Sequence, residues 1–410
     1  MRLLMRLAFR NLWRNKRRTL ITVSAMAFAT ALLIVTLGVT EGTMRDTLDS
    51  ATGLYYGQAE ITARGYLDDH DPSLSLPAST GAALAHGPGV VGMAGRVSGF
   101  ALLSCGRQDR AETEPAELLG VDPAQEEAVS HLSSHVVAGS NLTGPATHGM
   151  LLGQALARHL GAKIGQPVVV MGQAVDGSVA AGIFTVTGLV DTGESTLDGT
   201  LAIVGRTTLQ DLLDLDGRVN TIVVALEDPL EAPAWARRVA ARIPSAQVSS
   251  WRELLPQLAS LTDTMGVSKV ITVVIFYAGV LLVTVNTMYM AQLERLREFA
   301  VMGAIGLKPW RLVALIVIEG AMMSTIAALV GGFAGILLTF HLENHPLVLA
   351  TSSSSITMAG ATMQTAIRSF PTWDSIVVPI LLMGVLGGLI SLFPAWRLGR
   401  LRPVDALREV

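Results

Sequence analysis

The residues best suited to chemistry are few and scattered. "HLENH" sets His341, Glu343 and His345 at alternate positions, and in a strand that spacing would turn two imidazoles and a carboxylate toward one metal ion. Nothing else in the chain supports a metal there, and a solvated interfacial loop accounts for the same residues. The run "DDHD" (68–71) is acidic enough to attract a cation but reads as an exposed loop. Cys105 is the only cysteine, which excludes an intrachain disulfide and a thiolate zinc site. There is no G-x-x-x-x-G-K-[ST] phosphate loop, no H-E-x-x-H and no G-x-S-x-G. Catalysis and nucleotide binding therefore have no seat in this sequence. What remains is ion pairing: Glu294, Arg295, Arg297 and Glu298 crowd together, and Glu319 stands alone inside an apolar run.

The elements that must position these charges are set by hydropathy. The chain has 410 residues, 50% hydrophobic and 15% charged, with a mean hydropathy of +0.48. That is too apolar for an ordinary soluble protein and too polar for a pure membrane bundle. The net charge of −3 gives no sign of nucleic acid. Segments 19–41, 267–290, 312–340 and 375–396 are each long enough to cross a bilayer as a helix of roughly 20 residues. The first exceeds the h-region of a signal peptide and lacks a small-x-small cleavage site, so it reads as a retained span. Arg2, Arg6, Arg10, Arg14, Lys16, Arg17 and Arg18 precede it. Arg295, Arg297, Lys308 and Arg311 lie between spans 2 and 3, and Arg397, Arg400, Arg402 and Arg408 follow span 4. The positive-inside rule then places 1–18, 291–311 and 397–410 in the cytoplasm, with 42–266 and 341–374 outside.

The fold expected is four transmembrane α-helices with a large α+β extracytoplasmic domain between the first and second. Residues 1–18 have basic and apolar residues at helical spacing. Leu3, Leu7, Leu12 and Trp13 are expected to lie in the membrane interface, with the arginines on headgroup phosphates. In 42–266, β-rich runs (58–63, 166–172, 182–190, 221–228) alternate with helical patterns (153–162, 207–215, 231–243). A helical stretch from 249 onward runs into span 2. Gly331 with Gly335, and Gly384 with Gly388, form G-x-x-x-G pairs that let helix backbones approach. Glu319 sits about two turns inside span 3, where an ionised carboxylate needs a partner or water. It reads as a carboxylate bonded to a neighbouring helix, or as part of a link between motions in and outside the membrane.

Between spans 2 and 3, "LERLREFAVMGAIG" turns Leu293, Leu296, Phe299 and Met302 toward one face, and the 306–309 turn reverses the chain. Either this is a solvated connector, or its charges meet a separate protein. The stretch 286–320 resembles the signature of the FtsX-like permease family, which includes the lipoprotein-releasing LolC/LolE type and MacB-type transporters. Asn286, Arg295, Arg297, Glu298, Met302, Ala304, Ile305 and Gly306 carry the likeness, with Ala300 where the family often has glycine. The ending "PAWRLGRLRPVDALREV" is similar as well, through Pro394, Ala395, Arg397, Pro403, Ala406, Leu407 and Arg408.

The resemblance implies a non-catalytic permease subunit of an ABC transporter in the bacterial inner membrane, with both termini cytoplasmic and the large domain periplasmic. It implies two partner ATPase subunits that bind ATP and Mg, no cofactor in this chain, and a second permease, identical or homologous. Glu294, Arg295, Arg297, Glu298, Met302, Gly303 and Gly306 would form the coupling helix pushed by the ATPase. The cargo implied first is lipoprotein, passed to a periplasmic carrier, with acyl chains held among Leu33, Leu37, Ile271 and Ile275. MacB-like efflux of peptides, toxins or macrolides, and FtsX-like regulation of a cell-wall hydrolase, stand as alternatives.

Overall fold

The computed structural model describes all residues except 1, 15, 83, 86, 107–111, 295–297, 299–300, 303–304, 306, 349–355, 359–360, 364–365 and 400–410. It forms two compact units, Met1–Met44 with Asp263–Thr351 and Thr365–Val410, and Arg45–Thr262 with Ser352–Gln364.

The first unit contains four helices long and apolar enough to cross a membrane. Span 1 lies in the helix Lys16–Ala51, span 2 in Pro256–Leu293, span 3 in Pro309–Asn344 and span 4 in Trp373–Gly399. The helix of span 1 therefore runs about one helical turn or more beyond the apolar stretch at each end. A separate N-terminal helix, Arg2–Arg14, precedes it. Met26 and Ala27 of span 1, Val280 of span 2, Ala327 and Ala328 of span 3 and Met383 of span 4 make one buried cluster.

Small residues set how closely these helices approach, because lipid offers no hydrophobic gain for bringing two apolar helices together. Gly331 lies against the backbone of Ala27, and a Cβ at Gly335 would sit 3.0 Å from Ile34 and 3.1 Å from Ala31. The second expected pair needs correction. Gly384 faces open space and Gly388 meets only the Ala321 methyl, 3.6 Å from where its Cβ would be. The close contact between spans 3 and 4 falls instead on Gly387 against Ser324 and Gly320 against Ser391. Spacing within one helix does not reveal which glycine its neighbour will meet. The Ser324 hydroxyl donates to the Gly384 carbonyl across this contact at 3.2 Å.

In the second unit the span 1 helix ends in a π-helical turn, Thr52–Tyr56, closed by the Gly57 N–H on the Thr52 carbonyl at 2.7 Å. A ten-stranded sheet follows. Its strands are β1 (Ala59–Ala63), β2 (Val90–Cys105), β3 (Glu112–Val121), β4 (Val136–Gly139) and β5 (Gly149–Gly153). Then come β6 (Pro167–Gln173), β7 (Val179–Val190), β8 (Leu201–Gly205), β9 (Thr221–Leu226) and β10 (Ala246–Ser250). The order is β10-β1-β9-β2-β3-β8-β5-β7-β4, and β6 bridges β2 and β7. The strands β2-β3-β8-β5-β7-β6 thus close on themselves, which removes exposed edges. Ala101, Leu103, Val168, Val170, Phe184 and Val186 point into this ring and are buried. Leu54 of the π-turn packs with Leu132 and Leu142 over Leu119, Leu151 and Ile203 on its outside.

Helices Gln154–His159, Arg206–Leu213 and Ala232–Ala240 coincide with the helical patterns in the sequence. The stretch from 249 is not helical throughout: β10 ends at Ser250, a short helix Trp251–Leu254 follows, and Pro256 starts the long one. Proline fits a first helical turn, where its missing N–H has no intrahelical partner to lose.

Candidate functional site

The link between spans 2 and 3 is where the sequence concentrates its exposed charge. Glu294 is exposed and its N–H donates to the Met290 carbonyl at 3.2 Å, in the last turn of the span 2 helix. Met302 packs with Leu312, Val313 and Val317 beside Ile316 and Ala395, which ties the link to spans 3 and 4. Leu293, Val301 and Ile305 stay exposed. Of the apolar residues expected on one face, Met302 therefore turns inward while Leu293 turns out. Arg295, Arg297, Gly303 and Gly306 lie outside the described residues.

Glu298 has a partner within this chain. Its carboxylate forms an ion pair with Arg14 of the N-terminal helix, 284 residues away in sequence. That helix divides into three faces. Leu4 and Ala8 are buried against Leu315, flanked by Ala314, Ile318 and Met322 of span 3, and Leu12 is buried as well. Met5, Phe9 and Trp13 form an exposed apolar stripe, with the Phe9 and Trp13 rings 6.3 Å apart. Arg6, Arg10 and Arg14 occupy the remaining arc. Of the residues expected at the interface, Leu7 and Trp13 are exposed, as are Met5 and Phe9, whereas Leu12 is buried; the Leu3 side chain lies outside those described.

Glu319 lies at the foot of this docking. Asn11 of the N-terminal helix donates its side-chain amide to the Glu319 carboxylate at 2.6 Å. A charge-assisted bond of this kind meets part of the need of a carboxylate in an apolar helix.

An apolar groove of about 330 Å³ opens between spans 1 and 2. Ala25, Met26 and Ala29 line one wall, and Ile275, Phe276, Gly279, Val280 and Val283 the other. Thr284 closes the end, and its buried hydroxyl has no hydrogen-bond partner. Of the residues expected around acyl chains, Ile275 lines this groove. Ile271 is exposed nearby, whereas Leu33 and Leu37 are buried and contribute nothing to it. The groove lies deeper than expected because Leu33 and Leu37 turn toward the packed side of span 1, where Ile34 meets Gly335. Beyond its far end, Lys269 of the span 2 helix pairs with Glu41 of the span 1 helix at 3.2 Å.

The large domain buries a charged cluster that sequence reasoning missed. Arg96 on β2 is 2% exposed and donates to both carboxylate oxygens of Glu126 and to the Tyr55 carbonyl in the π-turn. Its guanidinium stacks 5.4 Å from the Tyr55 ring, and the Tyr55 hydroxyl donates to Glu117 at 2.6 Å. Burial would raise the Glu126 carboxyl, but Arg96 and the Ser130 hydroxyl, 2.6 Å away, outweigh it and hold the group below its ordinary value. Glu60 on β1 has no such direct donor. Burial, opposed by Arg96 and reinforced by Glu117, raises it to about 7. Charged residues inside a strand give no sequence signal apart from their presence in an apolar run, as Arg96 shows in "VVGMAGRVSGFALL".

A second unforeseen feature lies on the outer wall of the ring. Phe100 and Leu102 of β2, Val169 and Met171 of β6, and Val179 and Ile183 of β7 are neighbours in register and all exposed. Near the end of span 3, His341 and His345 stack at 4.8 Å. Among the described residues, no group of three or more His, Cys, Asp or Glu side chains is placed to hold a metal ion.

Comparison with known proteins covers both units. Residues 19–242 match the family model described as the MacB-like periplasmic core domain, and residues 270–403 match the FtsX-like permease C-terminal model. The chain is 28% identical over 399 residues to a lipoprotein-releasing system transmembrane protein LolC of Xylella fastidiosa, covering 94% of this chain and 92% of that one. It is 26% identical over 411 residues to the LolC of Neisseria meningitidis serogroup B, covering 95% and 94%. Among solved structures, the periplasmic region of MacB from Actinobacillus actinomycetemcomitans aligns with 54% of this chain and 97% of its own length. That alignment is 14% identical with a TM-score of 0.37.

Proposed function

The chain is a transmembrane ABC-transporter permease of the family that joins a MacB-like periplasmic core domain to an FtsX-like C-terminal half, and on that premise we propose that it releases lipoproteins from the inner membrane under the drive of a separate ATPase. The observation that carries this reading is the apolar groove between spans 1 and 2, in a chain matched over 94% of its length by a protein named for lipoprotein release. An acyl chain entering such a groove gains about 0.8 kcal/mol per buried methylene. Span 2 offers room beside it, because only 6% of its apolar window is buried, against 44% for span 1. A second permease, identical or homologous, covers part of that flank.

The basic residues at the span ends support a cytoplasmic position for both termini and for the link between spans 2 and 3. There two ATPase subunits, each holding ATP and Mg, close on the exposed Leu293, Val301 and Ile305 and on the charged side chains around them. The displacement passes along the helices of spans 1 and 2, both of which extend beyond the membrane. It reaches the large domain, which hands the cargo to a periplasmic carrier.

The test is co-purification with a co-expressed ABC ATPase subunit, followed by mass spectrometry of whatever is bound. Acylated protein is the expected finding. Soluble peptide alone would replace the reading by efflux, and a cell-wall hydrolase alone would replace it by regulation.

A further inference from the structure

The N-terminal helix Arg2–Arg14 is tied by four contacts. At its C-terminal end Arg14 pairs with Glu298 in the link between spans 2 and 3. One turn earlier Asn11 donates to Glu319 at 2.6 Å, and below it Leu4 and Ala8 pack on Leu315 of span 3. At the corner into span 1, the Thr19 hydroxyl donates to the Leu12 carbonyl at 2.9 Å.

These contacts differ in character. The Asn11–Glu319 bond and the apolar docking are partly or wholly buried, so they fix the helix on span 3. The Arg14–Glu298 pair is open, with side chains 53% and 41% exposed. An exposed pair adds little to stability, yet it sets the position of one element against another. The helix is short and hydrogen-bonded throughout, so a displacement applied at Arg14 reaches Asn11 and Leu12 with little loss.

We propose that Arg14 is a positioning residue that makes the N-terminal helix a rocker, carrying movement of the span 2–span 3 link to spans 1 and 3. The inference rests on the ATPase-driven reading above and adds a route to it. Span 2 is continuous with the link and moves directly. Spans 1 and 3 are moved through the rocker, which also gives Glu319 its purpose as the bearing.

The test uses the full-length chain in its complex with the ATPase. Arg14→Glu is expected to leave protein level and ATP hydrolysis intact while cargo released per ATP falls about fivefold or more, the lower end of ordinary coupling between sites; Glu298→Arg, on the link that meets the ATPase, is expected to lower release per ATP as well, whatever it does to hydrolysis. The double exchange Arg14→Glu/Glu298→Arg restores the ratio to near that of the unaltered chain. A merely structural contact would not separate hydrolysis from release in this way, nor be rescued by reversing both charges. Release per ATP unchanged in both single variants overturns the rocker.

A second measurement needs no knowledge of the cargo. Arg14→Cys/Glu298→Cys, with Cys105→Ser, is treated in membranes with a short bis-maleimide, with and without ATP and vanadate. Crosslinking that forms without nucleotide and blocks subsequent ATP-driven change in Trp13 fluorescence supports the rocker. Failure to crosslink, or a Trp13 response indifferent to the crosslink, overturns it. If the unaltered complex releases no lipoprotein, the proposed cargo falls, while the crosslinking result still decides the rocker.

Discussion

The two units keep their polar groups in different ways. The large domain buries full charges: Arg96 and Glu126 share two hydrogen bonds, Glu117 holds Tyr55, and Glu60 lies 7% exposed beside them. Along its spans the membrane unit buries hydroxyls that bond back to their own helices, as Thr30 does to the Met26 carbonyl and Thr339 to the Gly335 carbonyl, and its buried carboxylate Glu41, paired with Lys269, sits where the apolar stretch of span 1 ends. Its close contacts come from glycine, alanine and serine. The difference follows from the surroundings. In water the hydrophobic effect closes the domain and can offset the cost of desolvating a paired ion. In lipid that force is absent between helices, so shape and backbone approach must do the work.

Four substitutions would break or sharpen this contrast. The largest effect is expected at Gly331→Leu, where the new side chain meets the Ala27 backbone, which cannot move aside. Overpacking of this kind costs about 3 kcal/mol, read as a lowered unfolding midpoint in detergent. Stability equal to the unaltered protein would mean that spans 1 and 3 are not in close contact. Next is Glu60→Gln. A carboxyl raised from 4.5 to about 7 in the folded state contributes stability that is complete below pH ~4.5 and lost as pH rises through 7. At about 1.4 kcal/mol per pKa unit, the loss is about 3 kcal/mol. The Gln variant lacks this loss, so its advantage in melting temperature should grow between pH 5 and pH 8. Parallel pH profiles would remove Glu60 from the account.

Asn11→Ala withdraws one donor from Glu319 and is expected to cost about 1.5 kcal/mol, the lower end for a bond to a charged group. The smallest effect belongs to Gly279→Ala on span 2, where nothing lies within 4 Å. A change within about 0.5 kcal/mol is expected, comparable to ordinary surface substitutions. A large loss there would show span 2 to be packed in the folded chain.

What the sequence made legible divides along the same line. Spans declare themselves because a run of about 20 apolar residues has few other uses, and the amphipathic helices of the large domain show a period that burial then obeys. The choice among apolar residues was not legible. Leu4 and Leu7 are equivalent by composition, and only the packing on span 3 selects Leu4 for burial while Leu7 stays exposed. The spacing rule picks Gly384 with Gly388 and passes over Gly387, the glycine that meets span 3. Glu298 looked free because its partner lies 284 residues away. The strand β2 was hidden because its residues are apolar on both faces over much of its length, one inside the ring and one on its uncovered wall. Alternation, the usual mark of a strand, is then absent.

The π-helical turn at Thr52–Tyr56 has a consequence for how the chain tolerates length changes. Wound one residue wider than an α-helix, it holds a spare residue that a deletion can remove without breaking the helix. That residue is not idle, however: the wide turn carries Tyr55 to Arg96 and Glu117, and Leu54 onto Leu119 and Leu151. A deletion there would keep a regular helix and leave Arg96 and Glu117 facing an empty notch.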